Sequence, residues 1–553
     1  MLFRSANATL QDTSVGNAVL VGNTGNDVLI GAAAGDSIVA GNGNNTLEGG
    51  SGAVVLDAGN GNDSITTAAN STYTVMLGNG ADTVFANGTG TVTGGAGSDL
   101  LDAAGTGPSA ADLIVSHGLQ GTVLGGAGDL AVLDEGTHDT VQGGAGTLTV
   151  IDDGAHDTIQ AAGGVTSVTL NGSFGRTRGG TGSFTVDAPN ASSTVIGGTA
   201  GTMFVTVGAS ASNSDVFGRA GNTHILDLGA DALMGAGGGT SVVTIDGAGT
   251  QLYGNSPPGG TLDVSIGAAN VLAFGLGDNA TVDASSAAAT SALVYGGFSS
   301  TAADNGSLLV QAGADSLVAV TGGSNATINA GTGGLYTFIG TGSLAGSNVI
   351  NGASASQLYT AFIGGAGSAT VYGGEAGASV FGVDGTDATY RNSLAGAPGA
   401  YLVANGSRAG GETLNAAGSA TNDSLFAAQG NVSLVAGSGN DLLSAGTNSG
   451  SVGGAGTVVG GDTMMGGVTG SGPDLMLFTH GTFEGGAVVI NFTSADTVFL
   501  SGYNAAAGGD QANIALADAT QASGNTTIAL TDGTHITFVD ATTTQLQGHV
   551  FSS

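Results

Sequence analysis

A nine-residue repeat near the N-terminus is the feature that most restricts the fold. From Gly22 to Thr66 the chain divides without a gap into GNTGNDVLI, GAAAGDSIV, AGNGNNTLE, GGSGAVVLD and AGNGNDSIT. The eighth position of each unit is aliphatic: Leu29, Ile38, Leu47, Leu56 and Ile65. Each unit therefore predicts a glycine-rich turn followed by a short strand with one inward side chain. Two units predict one coil of a solenoid.

Oxygen-bearing side chains fall at the sixth position of most of these units. That position holds Asp27, Asp36, Asn45, Val54 and Asp63. Two-unit coils place Asp27, Asn45 and Asp63 along one edge, about one strand spacing (~4.8 Å) apart. Carboxylates at that distance repel one another unless a hard cation lies between them. Carboxylate and backbone carbonyl oxygens suit Ca²⁺, so we expect Ca²⁺ in these turns.

The units resemble the glycine-rich nonapeptides GGxGxDxUx (U, aliphatic) of RTX-type secreted proteins. The fullest match is GGAGSDLLD, which places Asp99 and Leu101 at the acidic and aliphatic positions. Further matches are LGNGADTVF (Asp82), GSATNDSLF (Asp423), AGSGNDLLS (Asp441) and TGSGPDLML (Asp474). The resemblance implies an all-β fold, a parallel β-roll or β-solenoid with calcium-binding turns.

A second block of nine-residue units begins at Gly125. Its first 18 residues are repeated almost identically in the next 18. DEGTHDTVQ and DDGAHDTIQ place His138 and Asp139 over His156 and Asp157. The histidines could bind a transition metal or respond to pH, but we favour solvated turn residues beside a Ca²⁺ carboxylate. The full set of predicted metal ligands is Asp27, Asp36, Asn45, Asp63, Asp82, Asp99, Asp139, Asp157, Asp423, Asp441 and Asp474.

Composition excludes several functions. The net charge is −35, and the six basic residues are all arginine, so nucleic acid binding is not expected. The absence of cysteine excludes disulfides and thiolate metal sites. Each bound Ca²⁺ would remove two negative charges, which predicts that metal binding and folding are linked.

Catalytic motifs are absent, and we expect no enzyme. The sequence contains neither HExxH nor GxSxG, and without lysine it has no P-loop. The acidic pairs Asp134-Glu135 and Asp152-Asp153 could serve a glycosidase. Their position in repeat turns fits metal binding or solvation better.

The repeats suggest five segments. Residues 1–20 form an N-terminal segment, 21–175 a calcium β-roll and 176–417 a metal-poor solenoid rich in Gly, Ala, Ser and Thr. Residues 418–480 form a second RTX-like block and 481–553 a C-terminal β cap. A β-sandwich inserted in the middle segment is the alternative architecture. The coil that starts near Val19 is expected to be an uncovered end.

Export is expected to depend on the C-terminal region. MLFRSANATLQDTSVGN at the N-terminus lacks the apolar core of a cleaved signal peptide. Residues 488–553 resemble the C-terminal region of type I secretion substrates, which implies an uncleaved signal for the type I secretion machinery. No stretch approaches the ~20 apolar residues of a membrane-spanning helix.

We therefore expect a calcium-binding structural or adhesive protein, outside the cell or at its surface. Open coil ends favour a homo-oligomer or lattice, as in an S-layer, biofilm matrix or filament. The alternative is a carbohydrate-binding or carbohydrate-active protein with a cell-surface polysaccharide as partner. Aromatic residues recur between Phe204 and Phe381, and an exposed row could stack on sugars. We favour core packing or stacking within turns for these residues.

Overall fold

The computed structural model describes most of the chain. The residues outside the description are 1, 4–6, 106, 108–110, 191, 255–259, 277–278, 287–288, 290, 297–306, 315–316, 323–324, 341–346, 353–356, 363–366, 373–377, 382–385, 392–400, 404–410, 417–421, 428–430, 438, 445–462, 467–472, 481–485 and 505–508. The chain divides into two compact units, Met1–Leu262 and Asp263–Ser553.

The first unit is a parallel β-solenoid in which every coil contributes one strand to each of two sheets. The longer strands form one sheet: Leu2–Phe3, Val19–Thr24, Asp36–Asn42, Ala53–Asp57, Thr72–Met76, Thr89–Thr93, Ala111–Ser116, Asp129–Asp134, Leu148–Asp152, Thr166–Leu170, Phe184–Ala188, Thr202–Val207, Asn222–Asp227 and Ser241–Ile245. Three-residue strands form the other: Thr9–Gln11, Val28–Ile30, Thr46–Glu48, Ser64–Thr66, Thr83–Phe85, Leu100–Asp102, Thr122–Leu124, Thr140–Gln142, Thr158–Gln160, Arg176–Arg178, Thr194–Ile196, Asp215–Phe217, Leu233–Gly235 and Gln251–Tyr253.

The second unit has the same coil plan, and the strand Leu262–Ile266 starts at its boundary. One sheet contains Leu262–Ile266, Ala280–Ala284, Ser307–Ala312, Asn325–Asn329, Ser347–Asn351, Gly367–Tyr372, Thr386–Arg391, Gly411–Asn415, Asn431–Val435, Thr463–Met465 and Gly486–Ile490. The other contains Leu272–Leu276, Ala292–Gly296, Leu317–Gly322, Gly334–Gly340, Gln357–Phe362, Ala378–Phe381, Tyr401–Val403, Ser424–Phe426, Leu442–Ser444, Leu475–Thr479 and Thr497–Ser501.

A mixed cap ends the second unit. Its elements are Gln511–Ala517 (helix), Thr520–Ala522, Asn525–Ala529, His535–Phe538, Thr543–Leu546 (helix) and Val550–Ser552. The strands Asn525–Ala529 and His535–Phe538 pair antiparallel, and His535–Phe538 also pairs in parallel with Gly486–Ile490. The predicted C-terminal β cap is therefore confirmed.

The core consists of aliphatic ladders in register between coils. Leu29 pairs with Leu47, and Leu47 with Ile65, so the eighth positions of alternate units stack directly. All three side chains are fully buried, as are Ile38 and Leu56 from the intervening units. Burying each such side chain stabilises the fold by about 1.5–3 kcal/mol. The nine-residue period therefore determines which side chains form the core.

Strand pairs in the middle segment, such as Gly367–Tyr372 with Thr386–Arg391, are parallel and continue the solenoid plan, so the inserted β-sandwich is wrong.

The coil at Val19 is also not an end, because Leu2–Phe3 pairs with it and Leu10 packs into the core. The repeat pattern did not predict this coil, because Thr9 pairs with Val28 at a spacing of 19 residues instead of 18. The five segment boundaries stay predictions.

Candidate calcium-binding turns

Sixth-position side chains form one column along an edge of the first unit. The backbone N–H of Asp27 donates to Asn45 Oδ1 at 2.9 Å, and that of Asn45 donates to Asp63 Oδ1 at 2.6 Å. Asp63 N–H donates to Asp82 Oδ1 at 2.7 Å, and Asp82 N–H to Asp99 Oδ1 at 3.1 Å. Each side chain accepts from the preceding coil, so the column fixes the stacking of the turns. We call it the aspartate column.

The same contact recurs in the duplicated block. Gly121 N–H donates to Asp139 Oδ1 at 2.6 Å, and Asp139 N–H donates to Asp157 Oδ1 at 2.7 Å. The predicted stacking of Asp139 and Asp157 therefore holds in the fold.

A second aspartate column lies in the second unit. Asp423 N–H donates to Asp441 Oδ1 at 2.8 Å, and Asp441 N–H donates to Asp474 Oδ1 at 3.2 Å. Asp474 N–H donates in turn to Asp496 Oδ1 at 3.0 Å. Sequence reasoning missed the buried Asp496, because it follows Asp474 by 22 residues instead of 18. The signal was its D-T-V-F context, which Asp82 shares.

Fifth-position asparagines form a second ladder of hydrogen bonds beside the aspartate column. In this ladder each side chain accepts from the following coil instead of the preceding one. Asn26 Oδ1 accepts from Asn44 N at 2.8 Å, and Asn44 Oδ1 accepts from Asn62 N at 2.9 Å. The turns therefore hold one another through side-chain carbonyls as well as carboxylates. Pattern reasoning did not predict this ladder.

One oxygen of several column carboxylates is buried without a hydrogen-bond partner. This is true of the Oδ2 atoms of Asp27, Asp63, Asp82 and Asp157. These residues are at most 2 % exposed, and none forms an ion pair within the described part of the chain. An uncompensated buried carboxylate is costly, so each of these oxygens calls for a proton or a cation.

Glycines leave room beside the Oδ2 atoms of the column. A Cβ on Gly22 would lie 2.6 Å from Asp27 Oδ2, and one on Gly94 would lie 3.2 Å from Asp99 Oδ2. The turns offer carboxylate and backbone oxygens, and the chain has no cysteine. This donor set fits Ca²⁺, which takes oxygen ligands at about 2.3–2.6 Å. When bound, the ion would neutralise the buried carboxylates.

Burial raises the pKa of the column carboxyl groups. The pKa of Asp82 rises to about 6, mainly through burial and additionally through the carboxylates of Asp99 and Asp63. Burial also raises the pKa of Asp441 to about 6, and it raises the pKa values of Asp63 and Asp99. The charged forms are therefore costly near neutral pH unless a cation compensates them.

Asp36 lies at the other edge of the coil. Its Oδ1 accepts from Ala18 N at 2.9 Å, and its Oδ2 accepts from Ala32 N at 3.0 Å and Ala33 N at 3.1 Å. Val54 follows it in the sheet, so no carboxylate column forms on this edge. Among the predicted ligands, Asp36 is already well supplied with donors.

The two turn histidines are exposed and stacked. The rings of His138 and His156 lie 4.9 Å apart, and His156 lies 5.0 Å from Phe174, each pair nearly parallel. These rings extend outward beside the buried Asp139 and Asp157. The two rings stack on each other, and His156 also stacks on Phe174.

Aromatic residues of the middle segment lie partly on the surface. Phe204 is 46 % exposed and stacks on His224 at 4.7 Å, and Tyr253 is 47 % exposed. Phe274 stacks on Tyr295 at 5.0 Å. The expectation of core packing is therefore wrong for Phe204 and Tyr253. Side chains from Tyr336 to Phe381 that the expectation also covered, including Tyr359, lie outside the described side chains.

Together, stacked glycine turns, aspartate columns and in-register aliphatic ladders define a calcium-binding parallel β-roll. The family model of the RTX calcium-binding nonapeptide repeat matches residues 12–47, 39–71 and 417–451, with four copies. The chain therefore carries RTX-type calcium-binding repeats, and Ca²⁺ is their cofactor. Proteins with these repeats are generally secreted. No curated protein matches the chain.

Proposed function

We propose that this protein is a secreted calcium-binding structural or adhesive protein that assembles with copies of itself. It would act outside the cell or on its surface, as an S-layer, matrix or filament subunit. The buried, unpartnered Oδ2 atoms of Asp27, Asp63, Asp82 and Asp157 carry the proposal. A chain of net charge −35 needs cations both to fold and to approach another copy.

In this proposal the Ca²⁺ ligands are the sixth-position side chains. The column geometry favours those with an unpartnered Oδ2, and backbone oxygens of the turns complete each site. The proposed ligands are Asp27, Asp36, Asn45, Asp63, Asp82, Asp99, Asp139, Asp157, Asp423, Asp441 and Asp474.

Assembly is tested by light scattering after size-exclusion chromatography, in millimolar Ca²⁺ and in EDTA. The wild-type chain should form larger species only in Ca²⁺. A variant with Asp27, Asp36 and Asp63 replaced by Ala should remain monomeric, because the N-terminal turns can no longer be neutralised by Ca²⁺.

The matched control removes the same charge elsewhere. Asp187, Asp246 and Asp263 are exposed and lie outside the columns, so their replacement by Ala should leave Ca²⁺-dependent assembly intact. Assembly of the column variant at the same Ca²⁺ concentration as the wild type would rule out these turns as the calcium-dependent contact.

A second candidate function is binding of a cell-surface polysaccharide. Its support is the outward position of Phe204 and Tyr253, since exposed aromatic faces stack on sugar rings. A glycan array probed with the Ca²⁺-loaded protein tests it. Binding that is lost in the Phe204→Ala and Tyr253→Ala double variant, with assembly unchanged, would favour this function.

Export is proposed to use the type I secretion machinery through residues 481–553. A reporter fused in front of residues 481–553 should reach the medium of cells that carry this machinery. The same reporter fused to residues 1–73, a segment of equal length, should stay inside. Retention of the first fusion would contradict the proposed route. Within the described residues, no helix has the length and apolarity needed to cross a membrane.

A further inference from the structure

Two aspartates occupy the first position of a repeat, where the RTX pattern has glycine. Asp134 and Asp152 end the strands Asp129–Asp134 and Leu148–Asp152, and they pair with each other across the sheet. Both are at most 1 % exposed, whereas their neighbours Glu135 and Asp153 are exposed. The acidic pairs in the sequence thus separate into one solvated and one interior carboxylate each.

A recurring contact joins the first position of one coil to the sixth position of the next, 23 residues later. Ser116 Oγ donates to Asp139 Oδ2 at 2.7 Å in this way. Thr250 Oγ1 donates to Asp227 Oδ2 at 2.7 Å in the reversed arrangement, with the carboxylate at the first position. In both examples a hydroxyl satisfies a buried carboxylate.

The equivalent contact between Asp134 and Asp157 brings two carboxylates together. Neither ionised side chain can donate, and the Oδ2 atoms of both residues are buried without a partner. The Oδ1 atoms are already engaged, accepting from Gly136 N at 3.1 Å and from Asp139 N at 2.7 Å, respectively. Only the unpartnered oxygens are available to a ligand between them.

Asp152 completes a group of three carboxylates. One oxygen each of Asp134, Asp152 and Asp157 lies within 4.8 Å of the other two. Two oxygens on one Ca²⁺ at about 2.3–2.6 Å lie at most about 5 Å apart, so the spacing suits a shared ion. The 23-residue partner of Asp152 is Gly175, whose missing side chain leaves the Asp152 Oδ2 side open.

From these contacts we propose that Asp134, Asp152 and Asp157 bind a Ca²⁺ ion inside the roll, at a site that joins two first-position carboxylates to the sixth-position Asp157. The site uses first-position carboxylates, which the nonapeptide pattern does not contain. Burial and then the neighbouring carboxylates of Asp139 and Asp157 raise the pKa of Asp134, consistent with negative charge that lacks compensation. Bound Ca²⁺ links two successive coils through side chains alone.

The test uses Asp134→Ser in the full-length chain. This substitution should recreate the Ser116–Asp139 pair at the next coil, so the variant should fold. Native mass spectrometry in Ca²⁺ should count one ion fewer than in the wild type. Hydrogen exchange across residues 129–160 should be slow already in EDTA. The slowing caused by Ca²⁺ should be smaller than in the wild type, because only the turn ligands Asp139 and Asp157 remain.

Asp227→Asn is the matched control, because Asp227 occupies the same first position and accepts the same type of bond from Gly229 N. It should bind as many ions as the wild type. If Asp134→Ser fails to fold, the near-isosteric Asp134→Asn replaces it in both measurements. An unchanged ion count in the folded Asp134 variant, with wild-type Ca²⁺ dependence of exchange, would overturn the proposal and indicate a proton or water between the carboxylates.

Discussion

At the scale of single residues, the contribution of a column aspartate to stability depends on what neutralises it. Asp82 has a buried, unpartnered Oδ2 and a pKa of about 6 in the fold. Its unfolded-state pKa is about 3.9. The folded chain therefore binds more protons between these values. Without Ca²⁺, this group's stabilising effect is complete below about pH 4 and is lost as the pH rises through about 6.

Replacing Asp82 by Asn should change stability in opposite directions with and without Ca²⁺. Asn45 shows that the column accepts an amide, whose Nδ2 donates to Gly43 O at 2.9 Å. At pH 8 in EDTA the variant should be more stable than the wild type, because no charge is buried. In Ca²⁺ it should be less stable, by at most about 2.7 kcal/mol if the ion is at 100 times its Kd.

Thermal unfolding of both chains across pH 5 to 8 measures this effect. In EDTA the stability advantage of the variant should shrink as the pH falls, because Asp82 of the wild type becomes protonated. Asp187→Asn, which changes an exposed aspartate, is the control. If Asp82→Asn lowered stability equally in EDTA and in Ca²⁺, the carboxylate would have only a structural role.

Substitution of a turn glycine tests how closely the turns stack. Gly61 has a φ of +130°, and a Cβ there would lie 2.1 Å from the carbonyl oxygen of Gly43. Gly61→Ala should therefore cost about 2 kcal/mol or more, since the stacked turns must separate. Gly16→Ala meets no atom within 4 Å and should leave the melting temperature unchanged. Equal melting temperatures for the two variants would contradict tight turn stacking.

At the scale of strands and turns, the repeat sequence predicts the regular coils but not the irregular ones. The strand Thr46–Glu48 follows from its aliphatic eighth residue Leu47 and the glycines before it. The first coil escapes prediction because Thr9 pairs with Val28 at a spacing of 19 residues. The interior position of Asp134 is not predicted either, because the sequence of a turn does not show which of two adjacent acidic residues points inward.

Solenoid coils contact only their neighbours, which makes damage to the core local. Leu47→Ala should cost about 2–5 kcal/mol, because Leu47 is fully buried. Hydrogen exchange should accelerate in its paired strands Val28–Ile30 and Ser64–Thr66 and not in strands beyond Phe184. Val55→Ala, at a 41 % exposed position, should have little effect. Acceleration throughout the first unit would show global instead of local coupling.

At the scale of the whole molecule, charge and fold are coupled. The chain carries a net charge of −35. Several of its carboxylates are buried in columns, so self-repulsion is not confined to the surface. The sequence predicts the Ca²⁺ requirement from repeat chemistry. The fold adds the reason, which is the buried, unpartnered Oδ2 atom of column carboxylates such as Asp27, Asp63 and Asp82. The repeat pattern predicts the cation in this way, but it contains no signal from which a partner molecule could be predicted.

The central claim is that Ca²⁺ stabilises the coils that contain the aspartate columns, and hydrogen exchange of the full chain with and without Ca²⁺ tests it most directly. Protection should increase on Ca²⁺ binding over residues 26–102 and 422–444. It should change little over the strands Phe184–Ala188 and Thr194–Ile196, which lack sixth-position aspartates. Identical exchange over residues 26–102 in Ca²⁺ and in EDTA would contradict the claim.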